Sequence, residues 1–389
     1  MAYNFDEIIN RENSGSLKYD IRKQKFGKED VIPMWVADMD FRTPDFIVDA
    51  LKQCAEKDIF GYFLFPDSYY KSIINWVKRH HQWEIQKDWI SYCPGVVPAL
   101  SLAVLAYTQP GDKIIVQPPV YHPFFFVIKD NKRQVVENPL LLKNGRFYMD
   151  FNDLEPKLID AKMLFLSNPH NPGGMVWKKE ELMQLAELCL KYNVLLISDE
   201  IHADLVFKPN KFIPVASLSS EIANNTVSFI APSKTFNMAG LSSSSVIISN
   251  KSLKARFDET LHTIHVGLGN SFGIAATEAA YNHGDTWINE LLDYISSNID
   301  FVENYLKKHV PQIKMIRPEG TYLIWLDCRD LNLSDDELNR FFIEKANLGL
   351  NEGRTFGTGG NGFMRMNVAC PKSIIEKALL NLKEAIANI

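Results

Sequence analysis

The segment MLFLSNPHNPGGMVWKKEELMQLAELCLKYNVLLISDE, residues 163–200, decides the fold class of this chain. It begins and ends with short apolar runs, MLFL and VLLI, which are typical of strands buried on both faces of a sheet. Between these runs, residues 179–192 carry apolar side chains at helical spacing, which indicates an amphipathic helix. A strand, a helix and a second strand in this order predict a parallel strand pair with a crossover helix.

The same alternation extends to both sides of this segment. The runs KIIVQPP (113–119) and TVSFIAPS (226–233) resemble further buried strands that end in turn residues. Residues 97–107 and 251–260 have the pattern of helices. We therefore expect an α/β fold with a large domain, built on a mostly parallel central sheet that is covered on both faces.

The carboxyl-terminal part of the chain has a different pattern. A long helix is predicted from about residue 286 to 309, followed by three strands, IKMIRP, TYLIWLD and GFMRMNVAC, and by a final helix over 371–389. Ser334 and Glu337 form the S-x-x-E pattern of a capping box. We expect a large domain over 46–285 and a smaller α+β domain over 286–389. Residues 1–45, expected to be extended, would pack with the smaller domain.

Composition narrows the possible functions. The 389 residues carry a net charge of −5, and 46% of them are hydrophobic, so the chain is not intrinsically disordered. A mildly acidic balance gives no electrostatic basis for binding nucleic acid or an anionic membrane. No apolar run approaches the roughly 20 residues that a membrane-spanning helix needs. The polar amino terminus is unlike a signal peptide, so we expect a cytoplasmic protein.

Three further patterns predict no special chemistry. The five cysteines are widely spaced and odd in number, which favours buried free thiols over a disulfide framework. Gly357, Gly359 and Gly362 spell G-x-G-x-x-G, but a strand follows them where a dinucleotide site needs a helix. His262 and His265 have no accompanying ligand at a known spacing, so no metal site is expected.

The carboxyl ends of the predicted parallel strands are where a ligand is expected. Gly95 lies between a strand and a helix whose first amides, those of Val96 and Val97, suit a phosphate, although an ordinary turn fits as well. Asn168 and Asn171 belong to a stiff loop with two Asn-Pro steps, a turn that is also suited to holding a ligand.

Three charged residues follow or occupy apolar strands. Asp199 ends a buried strand and needs a partner, or else serves as a helix N-cap. Lys234, flanked by apolar residues and hydroxyls, could form a Schiff base, the alternative being a solvated surface lysine. Arg365 within GFMRMNVAC needs an anion, either a substrate carboxylate or an internal salt bridge.

Together these residues carry a family resemblance over nearly the whole chain. Three segments resemble the core motifs of the fold-type I pyridoxal 5′-phosphate (PLP) enzymes of the class I/II aminotransferase family: SNPHNPGG (167–174), SDEIHADLV (198–206) and APSKTFNMAGL (231–241). Three others are similar to its cystathionine β-lyase branch, the MalY/PatB-type C–S lyases: IPMWVADMDF (32–41), PPVYHPF (118–124) and GFMRMNVACP (362–371).

The resemblance implies roles for the residues around the cofactor ring. Lys234 would hold PLP covalently, Asp199 would pair with the pyridine nitrogen and Tyr121 would stack on the ring. Asn171 would contact the ring oxygen. His202 occupies a position where many relatives have a tyrosine that binds the same oxygen.

The resemblance also implies how the phosphate and the substrate are held. The phosphate would be surrounded by Gly95, Val96, Val97 and Ser233. Tyr62 would reach the phosphate of a neighbouring subunit, which implies a homodimer with shared active sites. Arg365, together with Asn171, would bind the substrate α-carboxylate. Many aminotransferases of the family have an arginine that binds the phosphate eight residues after the lysine. This chain has Ser242 there, so the sequence does not identify the cation that would bind the phosphate.

The implied reaction is β-elimination of cystathionine or a related cysteine S-conjugate, which gives a thiol such as homocysteine, pyruvate and ammonia. The alternative is an aminotransferase for an aromatic or acidic amino acid. Both reactions use the same residues, and Ser242 favours the lyase because that branch more often lacks the arginine. A binding protein without activity is a third possibility, against which the complete catalytic set argues.

Overall fold

The computed structural model describes residues 3–388. Fourteen α-helices occur among these residues. They are Leu17–Asp20, Arg22–Phe26, Asp45–Ala55, Asp67–His81, Val96–Tyr107, Pro123–Asp130, Phe151–Leu158, Lys179–Lys191, Ser220–Asn224, Lys251–Thr263, Ser271–His283, Asp285–His309, Asp335–Arg340 and Lys372–Ile386.

A seven-stranded sheet forms the centre of the larger part of the molecule. Its strands lie in the order Ile90–Cys93, Ser244–Ile247, Thr226–Ile230, Leu195–Asp199, Ala161–Ser167, Lys113–Val116 and Gln134–Glu137. Six of the seven strands run in the same direction, and the exception is Ser244–Ile247, which is antiparallel to both of its neighbours. The predicted α/β class with a mostly parallel sheet is therefore confirmed.

Strand register aligns the chemistry-bearing residues at one edge of this sheet. Ser167 lies opposite Asp199, and Asp199 lies opposite Phe229 on the next strand. The residues that follow these three strands consequently emerge side by side, as expected for parallel strands. The apolar residues within the strands are buried, which holds the register firmly because a slip would expose them.

A second, antiparallel sheet lies in the carboxyl-terminal part. Its strands are ordered Lys314–Ile316, Leu323–Asp327, Phe363–Asn367 and Asn351–Glu352. The three predicted strands are thus present, together with a short edge strand that the sequence did not suggest. The capping box of Ser334 and Glu337 is also present, at the start of the helix Asp335–Arg340.

The amino-terminal segment joins the carboxyl-terminal part. Ile32–Pro33 pairs in parallel with Leu348–Gly349. The expectation of an extended segment is wrong for two stretches, since Leu17–Asp20 and Arg22–Phe26 are helical. We propose to keep the division into a domain over 46–285 and a second one over 1–45 and 286–389, since the helix that starts at Asp285 leads into the second sheet.

Three smaller features complete the description of the fold. The hairpin Leu141–Lys143 and Arg146–Tyr148 lies outside both sheets. Within the described residues, every helix is too short or too polar to cross a membrane. All five cysteines are buried and free.

Candidate active site

A cavity of about 210 Å³ lies at the carboxyl ends of the central parallel strands. Nine of the site residues predicted from the sequence line it: Gly95, Val96, Val97, Tyr121, Asn171, Asp199, His202, Ser233 and Lys234. Residues from five separate stretches of chain meet here because the parallel register brings the strand ends to one edge.

The end of the cavity nearest the helix Val96–Tyr107 is rich in hydrogen-bond donors. The first helical bond runs from the Ala99 amide to the Gly95 carbonyl, so the amides of Val96 and Val97 have no partner within the helix. The side chains of Ser233, Ser242 and Ser243 line the same cavity. Such a combination of free amides, hydroxyls and a positive helix end suits a phosphate group.

Lys234 presents its amine to the cavity. The amine donates a hydrogen bond of 2.6 Å to the carbonyl oxygen of Ala37. Burial lowers the pKa of Lys234 to about 8, against the opposing attraction of the Asp38 and Asp199 carboxylates. Its neutral fraction near physiological pH is therefore far above that of an ordinary lysine, which makes this amine able to act as a nucleophile or as a base.

The turn that carries Lys234 is anchored from behind. The hydroxyl of Thr235 donates to Oδ2 of Asp204 over 2.7 Å, and Asp204 Oδ1 accepts from Trp76 and from His81, each over 2.9 Å. Although burial opposes them, the bonds to Asp204 hold its pKa below its usual value. These contacts fix the position of the lysine-bearing backbone.

Asp199 is a buried carboxylic acid that faces the cavity. Its Oδ1 accepts one hydrogen bond, from the Ile201 amide over 3.2 Å. Burial raises the pKa of Asp199 to about 7, more than that bond and the Lys234 charge lower it. A buried acid with one backbone partner is suited to share a proton with a basic nitrogen placed in the cavity.

His202 and Tyr121 complete the walls around Asp199. Burial, reinforced by the charges of Lys234 and Arg365, lowers the pKa of His202 to about 3, so its ring is neutral. The buried Nδ1 of His202 has no hydrogen-bond partner among the described residues. Burial raises the pKa of Tyr121 to about 12, so the phenol keeps its proton.

Arg365 adjoins the cavity through Asn171. Its Nη1 donates to Asn171 Oδ1 over 3.0 Å, and its Nη2 donates to the Trp35 carbonyl over 2.9 Å and to Asn351 Oδ1 over 2.8 Å. Arg365 is only 3% exposed, and its Nε has no partner in the described part of the chain. Burial lowers the pKa of Arg365 to about 10.

The sequence left two possible anions for Arg365, a substrate carboxylate and an acidic side chain in an internal salt bridge. The observed partners of Arg365 distinguish between them. All three are neutral oxygens, and no ion pair of this arginine occurs within residues 3–388. A buried cation without an anion favours an external carboxylate over an internal salt bridge.

The amino-terminal segment supplies site contacts that sequence reasoning missed. Ala37 lines the cavity, and its carbonyl accepts from both Lys234 and Tyr322. Ser167 and Ser243 also line the cavity and were not singled out. Backbone carbonyls leave no mark in a sequence, although the apolar run 32–41 with its two aspartates marks an unusual segment.

Tyr62 lies outside this cavity. Its side chain is 98% exposed in a segment where Ile59, Phe60 and Leu64 are exposed as well. Within a single chain the structure therefore brings Tyr62 into contact with none of the other predicted site residues. An exposed apolar segment of this kind is typical of a protein interface.

Neither the G-x-G-x-x-G glycines nor the pair His262 and His265 lines the cavity. Gly357, Gly359 and Gly362 all have positive φ in a loop that leads into the strand Phe363–Asn367. A Cβ on Gly357 would lie 2.6 Å from the ring of Phe125, so this glycine allows close packing against the segment that carries Tyr121. No cluster of potential metal ligands occurs among residues 3–388.

Comparison with known proteins places this geometry in a family. The model of the aminotransferase class I and II family matches residues 29–382. Cystathionine β-lyase PatB of Bacillus subtilis is 43% identical over 387 residues, which cover 99% of this chain and all of PatB. A PLP-bound protein of Clostridium difficile 630, crystallised as a candidate aminotransferase, superposes with a TM-score of 0.97 at 47% identity, over 99% of this chain and all of that one.

A third similar protein is cystalysin of Treponema denticola, whose crystal structure contains PLP. It superposes with a TM-score of 0.97 at 38% identity, and each chain is covered completely. The fold, the residues at the strand ends and these matches lead to one conclusion: the chain belongs to the class I and II aminotransferase family.

Proposed function

We propose that this protein is a PLP-dependent carbon–sulfur lyase that eliminates the thiol from cystathionine or a related cysteine S-conjugate, releasing pyruvate and ammonia. The observation that carries the proposal is that Lys234 and Asp199 line one cavity, next to which Asn171 holds Arg365 with its unpartnered Nε. Support also comes from the 43% identity to a cystathionine β-lyase over the full length of both chains.

The cavity fits PLP on grounds of its own chemistry. The free amides of Val96 and Val97 and the nearby serines suit the phosphate. Asp199 suits the pyridine nitrogen, and the unpartnered Nδ1 of His202 suits a polar group on the ring. The amine of Lys234 belongs to the lining of the same cavity and is suited to attach to an aldehyde. PLP, when bound, withdraws electrons from the substrate Cα.

The residues of the chain would divide the remaining work. Arg365 has a free Nε–H and a buried positive charge, with which it would bind the α-carboxylate and fix the orientation of the Cα–H bond. Lys234, with its pKa lowered to about 8, would accept the Cα proton as an amine and later return a proton to the departing thiolate. A thiol pKa of about 8.5 makes sulfur an acceptable leaving group.

A transaminase is the second candidate, and one observation favours it. The Clostridium difficile protein, crystallised as a candidate aminotransferase, is 47% identical to this chain. The same lysine and arginine would serve transamination, in which Arg365 would hold the α-carboxylate and Lys234 would move the Cα proton without loss of the thiol group. The two reactions therefore have to be distinguished by their products.

A product assay tests the proposal. The holoenzyme is incubated with L-cystathionine, and pyruvate and free thiol are measured over time. We expect both products in equal amounts without any added keto acid. Formation of a keto acid only when 2-oxoglutarate is supplied, without pyruvate or thiol, would establish the transaminase and contradict the lyase.

We further propose that the protein is a homodimer in which Tyr62 completes the partner's phosphate site. Lys234 is the one cation among the described residues that line the cavity, so a further donor would strengthen the binding of the phosphate. The exposed segment with Tyr62 and its apolar neighbours is suited to supply it.

Mixing two inactive variants tests the dimer. Lys234→Ala and Tyr62→Ala, each of low activity alone, are unfolded and refolded together with PLP. We expect recovery of about a quarter of the wild-type rate, because half of the symmetric dimers would be mixed and each would hold one intact site. Recovery no greater than the sum of the separate variants would contradict a shared site.

We also propose a cytoplasmic location. Five buried free thiols, without a disulfide among the described residues, fit a reducing compartment. Fractionation of the source cells, followed by immunodetection of the protein, tests this assignment.

A further inference from the structure

A chain of contacts leads from Arg365 to the outside of the molecule. The carbonyl of Trp35 accepts from Arg365 over 2.9 Å, and the ring of Trp35 lies 5.7 Å from the amine of Lys25. On the other side, the guanidinium of Arg365 lies 5.0 Å from the ring of Phe356, whose ring is 5.6 Å from that of His122. Lys25, Trp35, Phe356 and His122 are therefore linked with Arg365 in one continuous series of contacts.

The charges of Lys25 and Arg365, which lie at different points of this series of contacts, both act on His122. Burial, together with the positive charges of Arg365 and Lys25, lowers the pKa of His122 to about 4. Both cations therefore act on the same imidazole, which is neutral, and its buried Nδ1 has no hydrogen-bond partner among residues 3–388. The space next to His122 thus has a positive potential and an unused polar atom.

Lys25 differs from the lysine two residues before it. Lys23 forms an ion pair with Glu29 over 2.9 Å. Lys25 is exposed, lies over the Trp35 ring, and forms no ion pair in the described part of the chain. A cation that lies over the ring of a residue bonded to Arg365, and has no ion-pair partner among the described residues, is suited to bind an anionic group.

We propose that Lys25, Trp35 and His122 form a subsite for a carboxylate on the far side of the substrate's sulfur atom. This inference rests on the proposed function, in which Arg365 holds the α-carboxylate. The substrate side chain then extends along Trp35, with its thioether against the aromatic rings and its distal carboxylate at Lys25. The preferred substrates are thioethers of cysteine whose second arm carries a carboxylate, and neutral S-alkyl cysteines bind less well.

An isosteric pair of substrates tests the subsite. S-(2-carboxyethyl)-L-cysteine and its terminal amide have the same length and differ in one charge. For the wild-type holoenzyme, KM for the acid should be lower than KM for the amide. Lys25→Met should raise KM for the acid by about three- to fivefold, as expected for loss of one exposed charge pair, and leave KM for the amide and both kcat values unchanged.

Lys23→Met is the matched control, because it removes the same charge from the same short helix. It should leave both KM values as they are in the wild type. The preference for the acid should also weaken as salt is added, since the Lys25 charge is exposed to solvent. An equal rise of KM for acid and amide in Lys25→Met, or no change for either, would overturn the subsite.

A binding measurement keeps the test independent of the proposed reaction. In 2-aminoheptanedioate and its terminal amide a methylene replaces the sulfur, so neither can lose a thiol. Calorimetric titration of the holoenzyme should give tighter binding of the diacid, and Lys25→Met should remove the difference. Wild-type protein that binds both analogues equally would refute the subsite, whereas absence of pyruvate from every thioether would refute only the lyase.

Discussion

The two sides of the site are built in different ways. The floor, with Asp199 and Lys234, is formed by residues that follow adjacent parallel strands, whose register aligns them. The rim, with Lys25, Trp35 and Arg365, comes from the amino-terminal segment and the second sheet, and its hydrogen bonds use backbone carbonyls such as that of Trp35. A change in the floor should therefore affect every reaction, whereas a change in the rim should affect substrate binding, for every substrate at Arg365 and for particular substrates at Lys25.

The largest expected effect is that of Lys234→Ala on the floor. Without the amine, the proposed nucleophile and the proposed base are both lost, so kcat should fall by at least about a thousandfold with every substrate. Pyruvate release from cystathionine and from S-methylcysteine measures it, together with the absorbance band of the attached cofactor, which should disappear.

Lys251→Ala is the control for Lys234→Ala. Lys251 is an exposed lysine at the start of the helix Lys251–Thr263 and lies outside the cavity. This variant should retain the wild-type rate. A Lys234→Ala variant that folds and still eliminates thiols at a comparable rate would show that the floor does not perform the chemistry.

A smaller effect is expected for Arg365→Lys at the inner edge of the rim. Lysine keeps the charge but not the planar donor geometry, and its amine cannot reproduce the bonds to Asn171 and Asn351. We expect KM to rise by about 10- to 100-fold, the usual range for a charge-assisted hydrogen bond. The rise should be similar for cystathionine and for S-methylcysteine, since both carry the α-carboxylate.

Arg354→Lys provides the comparison for Arg365→Lys. Arg354 is a neighbouring arginine that is more exposed and paired with Glu352 and Asp336. Its replacement should leave KM within about twofold of the wild-type value, as expected for a surface ion pair. A rise of KM confined to one of the two substrates in Arg365→Lys would contradict its assignment to the α-carboxylate.

The contrast between floor and rim also explains what the sequence could and could not predict. Asp199 and Lys234 follow apolar strands, so periodicity alone directs attention to them, and the family motifs supply their roles. The strand Ser244–Ile247 was not predicted, because it begins within four consecutive serines, 242–245, which do not resemble a buried strand. In the structure three of these four serines are buried. Tertiary context overrides the polar composition there.

The contacts of the rim could hardly be predicted from the sequence. The carbonyls of Trp35 and Ala37 contact Arg365 and Lys234 across more than 190 residues of chain. No local pattern encodes such contacts, because any residue has a carbonyl group. Arg365 was found because a charge within an apolar strand is rare, whereas Lys25, an ordinary surface residue by pattern, emerged only from its contact with Trp35.

The smallest expected effect concerns the stability of the floor without its cofactor. Burial raises the pKa of Asp199 from 3.8 to about 7, so between these pH values the folded chain retains a proton that the unfolded chain has lost. The contribution of Asp199 to stability therefore falls as the pH rises through this range, and the cost of the buried charge is complete above pH 7.

Asp199→Asn avoids this cost and keeps an oxygen to accept from the Ile201 amide. In cofactor-free protein at pH 8, the variant should melt about 1–3 °C above the wild type, and the difference should vanish toward pH 4. Thermal scans at several pH values measure it, and addition of PLP should reverse the order, because the wild-type carboxylate then gains the partner it lacks. A cofactor-free variant that melts below the wild type at pH 8 would show that burial does not dominate the energetics of this acid.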